Sequence, residues 1–179
     1  MSKLIVGSLL SAVALFLFGF LFWGLSPLPY QFMGKTADDK AAGQALLEHF
    51  PQSGTYVIPG QYNDRAAISD LMKSGPLAVV HIRREGGPEM PPMVFVLGFL
   101  QFFVISLIVA AVLRKALPSL PSYSAKVGFT SLLGLGVAVF SDLGNPIWWQ
   151  VPWSFFVITA VYSVLAATLS GLVLAKFVK

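Results

Sequence analysis

Four long apolar runs divide the chain, and a single sizeable polar stretch separates the first from the second. Residues 4–25 carry no charge, nor do 93–113. Residues 127–143 form a shorter run whose sole charge, Asp142, falls near its end, and 151–175 is again uncharged. A helix rising about 1.5 Å per residue needs about 20 apolar residues to cross the ~30 Å hydrocarbon core of a bilayer. Helices in soluble cores are rarely so long and apolar on every face. The pattern predicts an all-α polytopic membrane protein with four transmembrane helices. The first run exceeds the usual signal-peptide core of about 7–15 residues, and no Ala-x-Ala site follows it before Pro27, so it reads as an uncleaved anchor.

Residues 33–91 follow another rhythm. Thr36 ahead of Asp38 and Asp39 is a helix start, and His49 followed by Pro51 is a stop. Between them Ala42, Ala45, Leu46 and Phe50 form an apolar stripe at helical spacing. Residues 54–58 read as a strand closed by Pro59-Gly60, and Asn63 or Asp64 caps a second helix bearing Ile68, Leu71 and Met72. After Gly75-Pro76, residues 77–84 alternate, with Ala78, Val80 and Ile82 on one face and Val79, His81 and Arg83 on the other. The result is a small α+β extracytoplasmic segment of order helix, strand, helix, strand. A helical crossover between its strands would permit a right-handed parallel pair. Two strands are marginal alone and so short a segment buries little apolar surface. It is therefore expected to lean on the outer rim, on a copy of itself or on another subunit.

Composition narrows the class. Of 179 residues 56% are hydrophobic and 11% charged, and none is cysteine, whereas soluble domains carry about 25% charged residues. That excludes an ordinary soluble globule, a disordered chain and a disulfide-stapled module. With the N-terminus inside, Lys3, Arg114, Lys115, Lys126, Lys176 and Lys179 lie on the cytoplasmic side without an acidic residue. Six basic and all eight acidic residues then lie outside, which satisfies the positive-inside rule and puts both termini in the cytoplasm. This asymmetry accounts for the basic balance, so no nucleic-acid partner is expected. The basic loop 114–126 holds Pro118 and Pro121 and is read as a topology signal rather than a lipid site. Phe22, Trp23 and Tyr30 sit where the first span leaves the outer face, and Trp148, Trp149 and Trp153 where the fourth enters it, as expected of aromatic side chains that favour the headgroup layer. Short inner loops and strict charge bias suit a bacterial inner membrane, with 33–91 in the periplasm.

Small residues mark helix contacts in lipid. The fourth run carries Thr159, Ser163, Ala167, Gly171 and Ala175 at four-residue spacing, and the third carries Thr130, Gly134 and Ala138. The expectation is a helix-packing seam, chiefly between these two spans. Gly7 with Ser11, and Ser8 with Ala12, mark the first span similarly. Asp142, with Asn145 nearby, is the one acid close to membrane depth, a candidate polar membrane site. The preferred reading makes it part of a helix-ending turn in the headgroup layer. His49 and His81, with Glu48, Glu85 and Glu89, are candidate metal ligands, although no familiar spacing is present. Met90 and Met93 would offer soft sulfur to copper.

Catalytic patterns are sparse. Without cysteine there is no thiol nucleophile, and Ser69 and Lys73 stand four apart rather than in Ser-x-x-Lys spacing. An enzyme acting alone is not expected, and neither is a cofactor. The leading expectation is a non-catalytic accessory, assembly or stabilising subunit whose partners are other membrane subunits or itself, within the lipid bilayer. A small oligomeric transporter or lipid-handling protein is the second class. Gln101, Ser106, Thr130, Thr159 and Ser163 are thin material for ion coupling. An extracytoplasmic metal-binding or sensing module is the third.

Overall fold

The computed structural model describes residues 2–62 and 64–179. Among them, four helices are long and apolar enough to cross a membrane: Lys3–Leu25, Pro92–Ser119, Tyr123–Trp148 and Trp153–Phe177. In chain order the first half holds α1 (Ser2–Gly19) with a π-helical extension Phe20–Leu25, a 3-10 turn Pro29–Phe32, α2 (Asp39–His49), β1 (Gly54–Ile58), α3 (Arg65–Ser74) and β2 (Ala78–Ile82). The second half holds α4 (Pro92–Ala116), a 3-10 turn Leu117–Ser119, α5 (Tyr123–Val137) with a π-helical extension Ala138–Asp142, α6 (Gly144–Trp148) and α7 (Trp153–Phe177).

Helix α1 packs against both α4 and α7, and α7 packs in turn against α5, so the neighbours run α4, α1, α7, α5. The small residues of α1 allow this central place. Ser8, Ser11 and Ala12 are buried, and a Cβ at Gly7 would stand 2.6 Å from Phe177 Cβ. Farther along, Gly19 admits Tyr162, whose ring stacks on Phe18 at 5.3 Å and meets Phe22 and Trp23 at 5.1 and 5.5 Å. The buried residues of α4 (Ser106, Ala110 and Leu113) all lie in its C-terminal half. Ala110, Leu113, Leu174 and Val178 form a core with Leu4 and Phe129, gathering all four spans at the end that carries the chain termini. Lys126 Nζ closes that end by donating to Val178 O at 2.9 Å.

The third span runs farther than its apolar pattern indicates. The sequence reading places a loop at 144–150, but the helix continues through α6 to Trp148. Pro146 has no N–H to offer the ladder, and the chain accommodates it in two steps. The ladder first widens, with Leu143 N donating to Ala138 O at 2.9 Å. A fresh helical turn then opens at Gly144 with Pro146 in its first turn, where a missing donor costs nothing.

Outside the spans, a polar cap occupies residues 33–91. Asp38 caps α2 by accepting from Lys40 N and Ala41 N, and Asp64 caps α3 by accepting from Ala67 N at 2.8 Å. The alternative cap, Asn63, lies outside the described residues. Gly75 ends α3 at φ +66°, a left-handed conformation that suits glycine at a helix C-terminus. Helix α2 is closed from a distance: Arg84 donates through Nη1 to Leu47 O at 2.7 Å and also to Phe50 O. His49, the cation expected at this terminus, is exposed.

Strands β1 and β2 pair antiparallel, in register Gly54 with Ile82, Thr55 with His81 and Ile58 with Ala78. The parallel pair that a helical crossover would permit does not form. A crossover helix must bury an apolar face on the sheet it spans. In α3 no residue is buried, and Leu71 and Met72 remain 45% and 44% exposed. The helix therefore joins the strands as a long hairpin connection.

Candidate functional site

Three hydroxyl groups meet where α1, α4 and α7 cross. Ser106 Oγ donates to Ser11 Oγ at 3.0 Å, and Ser11 Oγ shares a hydrogen bond of 3.0 Å with Ser170 Oγ. Ser8 Oγ donates to Ser106 O at 3.4 Å on the same contact. All four serines are buried. A hydroxyl in an apolar interior is costly unless bonded, and this arrangement uses one helix to satisfy the next. The sequence pattern marks Ser8, Ser11 and Ser106 but not Ser170. Its signal was position, one residue before Gly171 in a helix whose small residues repeat by fours.

The candidate packing residues of the third and fourth spans all fall on α5, its π extension or α7. A Cβ at Gly171 would collide with Thr130 Oγ1 and stand 3.3 Å from Val127 Cα. A Cβ at Gly134 would collide with the methyl of Ala167 and come within 3.1 Å of Ser163 O. Ala138 and Ala175 are buried, and Thr159 Oγ1 turns back to Phe156 O at 2.9 Å. Ser131 and Thr168 add a cross-helix hydroxyl pair at 2.8 Å that the spacing did not single out.

Asp142 does not end its helix. It closes the π-helical stretch of the third span and accepts from Ser163 Oγ at 2.7 Å. Ser163 lies ten residues into α7 from Trp153, about 15 Å of helical rise. The carboxylate thus meets α7 well short of the tryptophan rim. Asn145 does not join it: Asn145 Nδ2 donates to Ser141 O at 2.7 Å. Among the described residues the one ion pair is Lys73 with Asp70 on exposed α3, so no cation pairs with Asp142 there.

The two histidines face different surroundings. His81 Nδ1 shares a 2.9 Å hydrogen bond with Thr55 Oγ1, its cross-strand partner, while His49 borders a cleft lined by Phe50, Tyr56 and Tyr62. Among the described residues no three His, Cys, Asp or Glu side chains converge as a metal site. Glu85 stands elsewhere, accepting from Ser53 Oγ at 2.8 Å. That bond first, then its own amide and the charges of Arg83 and Arg84, hold its carboxyl below the ordinary carboxylate range.

A second cleft, of about 460 Å³, lies between the cap and the nearer ends of the long apolar helices. The sheet contributes Thr55, Val57, Val79 and His81, which alternation and register place on one face. Asn145, Trp149, Pro152 and Phe156 supply the opposite wall. The 3-10 turn fixes the approach of the chain to this rim. Tyr30 Oη donates to Trp23 O at 2.8 Å, and Ser154 Oγ to Phe32 O at 3.1 Å. Comparison with protein-family models, curated proteins and solved structures finds no match to this chain.

Proposed function

We propose that this multi-pass membrane protein is a non-catalytic accessory, assembly or stabilising subunit of a larger membrane complex. The observation that carries the reading is the cap's want of a core. Among its described residues, Phe50 alone is buried, at 8% exposure. A domain of about 60 residues that folds alone buries roughly 60% of its unfolded surface around a shared interior. Here α3 keeps Leu71 and Met72 uncovered, and α2 does the same with Leu46 and Leu47. A second subunit that covers these faces would supply the missing interior. Asp142 supports the same reading, because a carboxylate inside a helical span favours a compensating cation, and a basic side chain of a neighbouring helix would provide one.

In this proposal the chain sits in a bacterial inner membrane with both termini in the cytoplasm and residues 33–91 in the periplasm. The natural absence of cysteine makes orientation simple to measure. Ser69→Cys should react with an impermeant maleimide in spheroplasts, and Ser119→Cys only after permeabilisation. Gentle-detergent extraction of the tagged chain, followed by native-mass analysis, tests the function. A stoichiometric set of other membrane subunits supports the proposal, and a lone monomer or homo-oligomer defeats it.

A further inference from the structure

We propose that the cleft between the cap sheet and the outer rim binds one phospholipid, holding its ester and phosphate region between His81 and the Trp149–Phe156 wall. The volume, about 460 Å³, falls within the range of small-molecule sites, about 300–1,000 Å³. Its lining is mainly apolar with a few polar groups, the pattern such sites share. Those groups are preset by bonds to their own elements. Thr55 engages His81 Nδ1 across the strand pair, and with Thr55 donating, Nε2 carries the ring proton and serves as a donor. Asn145 is anchored to Ser141 O, which fixes its amide beside the cleft.

Position selects a lipid as the occupant. One wall belongs to the outer turn between two helices long and apolar enough to cross a membrane. Trp148, 82% exposed, and the half-exposed Trp149 and Trp153 stand around that turn. Tryptophan is enriched at the membrane–water boundary, so a molecule lying on this wall lies in the headgroup layer. Apolar Pro152 and Phe156 suit the first methylenes of an acyl chain, while an imidazole donor suits an ester or phosphate oxygen. Among the described lining residues there is neither a carboxylate nor a Lys or Arg, so a lipid phosphate here would be met by the imidazole and the Asn145 amide alone.

The test uses the full chain purified in a neutral detergent and titrated with dioctanoyl phosphatidylglycerol, with native mass spectrometry counting bound lipid. One lipid per chain is expected to survive detergent exchange. Val79→Trp, which fills the cleft, and His81→Ala, which removes the donor, should each weaken binding by about tenfold. His81→Gln, which keeps an N–H, should recover part of the loss, and unchanged circular dichroism spectra with cooperative thermal unfolding will show that the variants fold. Equal retention by wild type and Val79→Trp would overturn the proposal, as would a wild type that retains none. Glycerol 1-phosphate should compete poorly, and competition equal to that of the lipid would make this a free-phosphate site and also overturn it.

Discussion

Two glycines on one helix should respond unequally to the same added methyl group. At Gly134 the new Cβ meets the Ala167 methyl, Ser163 O at 3.1 Å and Val164 Cα at 3.3 Å. None of these atoms can move by a rotamer change, so α5 and α7 must separate. Overpacking of this kind costs about 1–3 kcal/mol. At Gly136, two residues on, a Cβ has no neighbour within 4 Å. Both substitutions gain the helix propensity of alanine over glycine, about 0.8–1.0 kcal/mol. Gly136→Ala should therefore stabilise by up to about 1 kcal/mol, and Gly134→Ala should range from neutral to about 2 kcal/mol destabilising. Propensity cancels between the two, so their difference of about 1–3 kcal/mol is the steric cost alone. Reversible unfolding in mixed dodecyl sulfate micelles, followed by tryptophan fluorescence, measures both. The double variant Gly134→Ala with Ala167→Gly moves the methyl across the contact and should recover most of the steric loss. Equal shifts for the two single variants would refute the close approach of α5 and α7.

Three further outcomes follow from individual bonds. Ser11→Ala removes two interhelical hydrogen bonds at the serine crossing, each worth about 0.6 kcal/mol on average in membranes and up to about 1.7, so a loss of about 1–3 kcal/mol is expected in the same assay. Arg84→Gln removes the cation that closes α2 and should weaken its last turn by about 1–2 kcal/mol, seen as faster amide exchange at residues 46–50. For Glu85 the lowered pKa means that its ionised form favours the folded cap. That contribution is complete above the ordinary carboxylate value of 4.5 and is lost as pH falls through the depressed folded value. Exchange protection of the Arg84 amide, which donates to Ser53 Oγ at 2.9 Å, should follow that course after correction for intrinsic rates, and Ser53→Ala should abolish the step.

Local chemistry made some elements legible and hid others. Asp38 and Asp64 announced their helices because a short acceptor before a helical run has one economical use, the free amides of the first turn. Gly75 announced an end because its backbone needs a positive φ. The direction of strand pairing was not legible, since alternation tells which side chains share a face and says nothing of how the strands run. The continuation of the helix past Asp142 was hidden for a related reason. Aspartate, glycine, asparagine and proline favour turns when nothing opposes them, but here α7 offers Ser163 to the carboxylate and the π-helical stretch absorbs the proline. Tertiary context overrode local preference.

The outer cleft was hidden more completely, because its walls come from residues 55–81 and 145–156 and no spacing rule links them. Yet its ingredients were visible separately, as a histidine on one strand face and tryptophans at one membrane boundary. Neither strand of the cap carries a buried residue, and the cleft separates the sheet from the ends of the long apolar helices. Any molecule that fills the gap adds apolar contact to the cap as well as gaining a site, which couples occupancy to the cap's stability. Bound phosphatidylglycerol should therefore slow amide exchange in β1 and β2, and Val79→Trp should produce part of that protection without lipid.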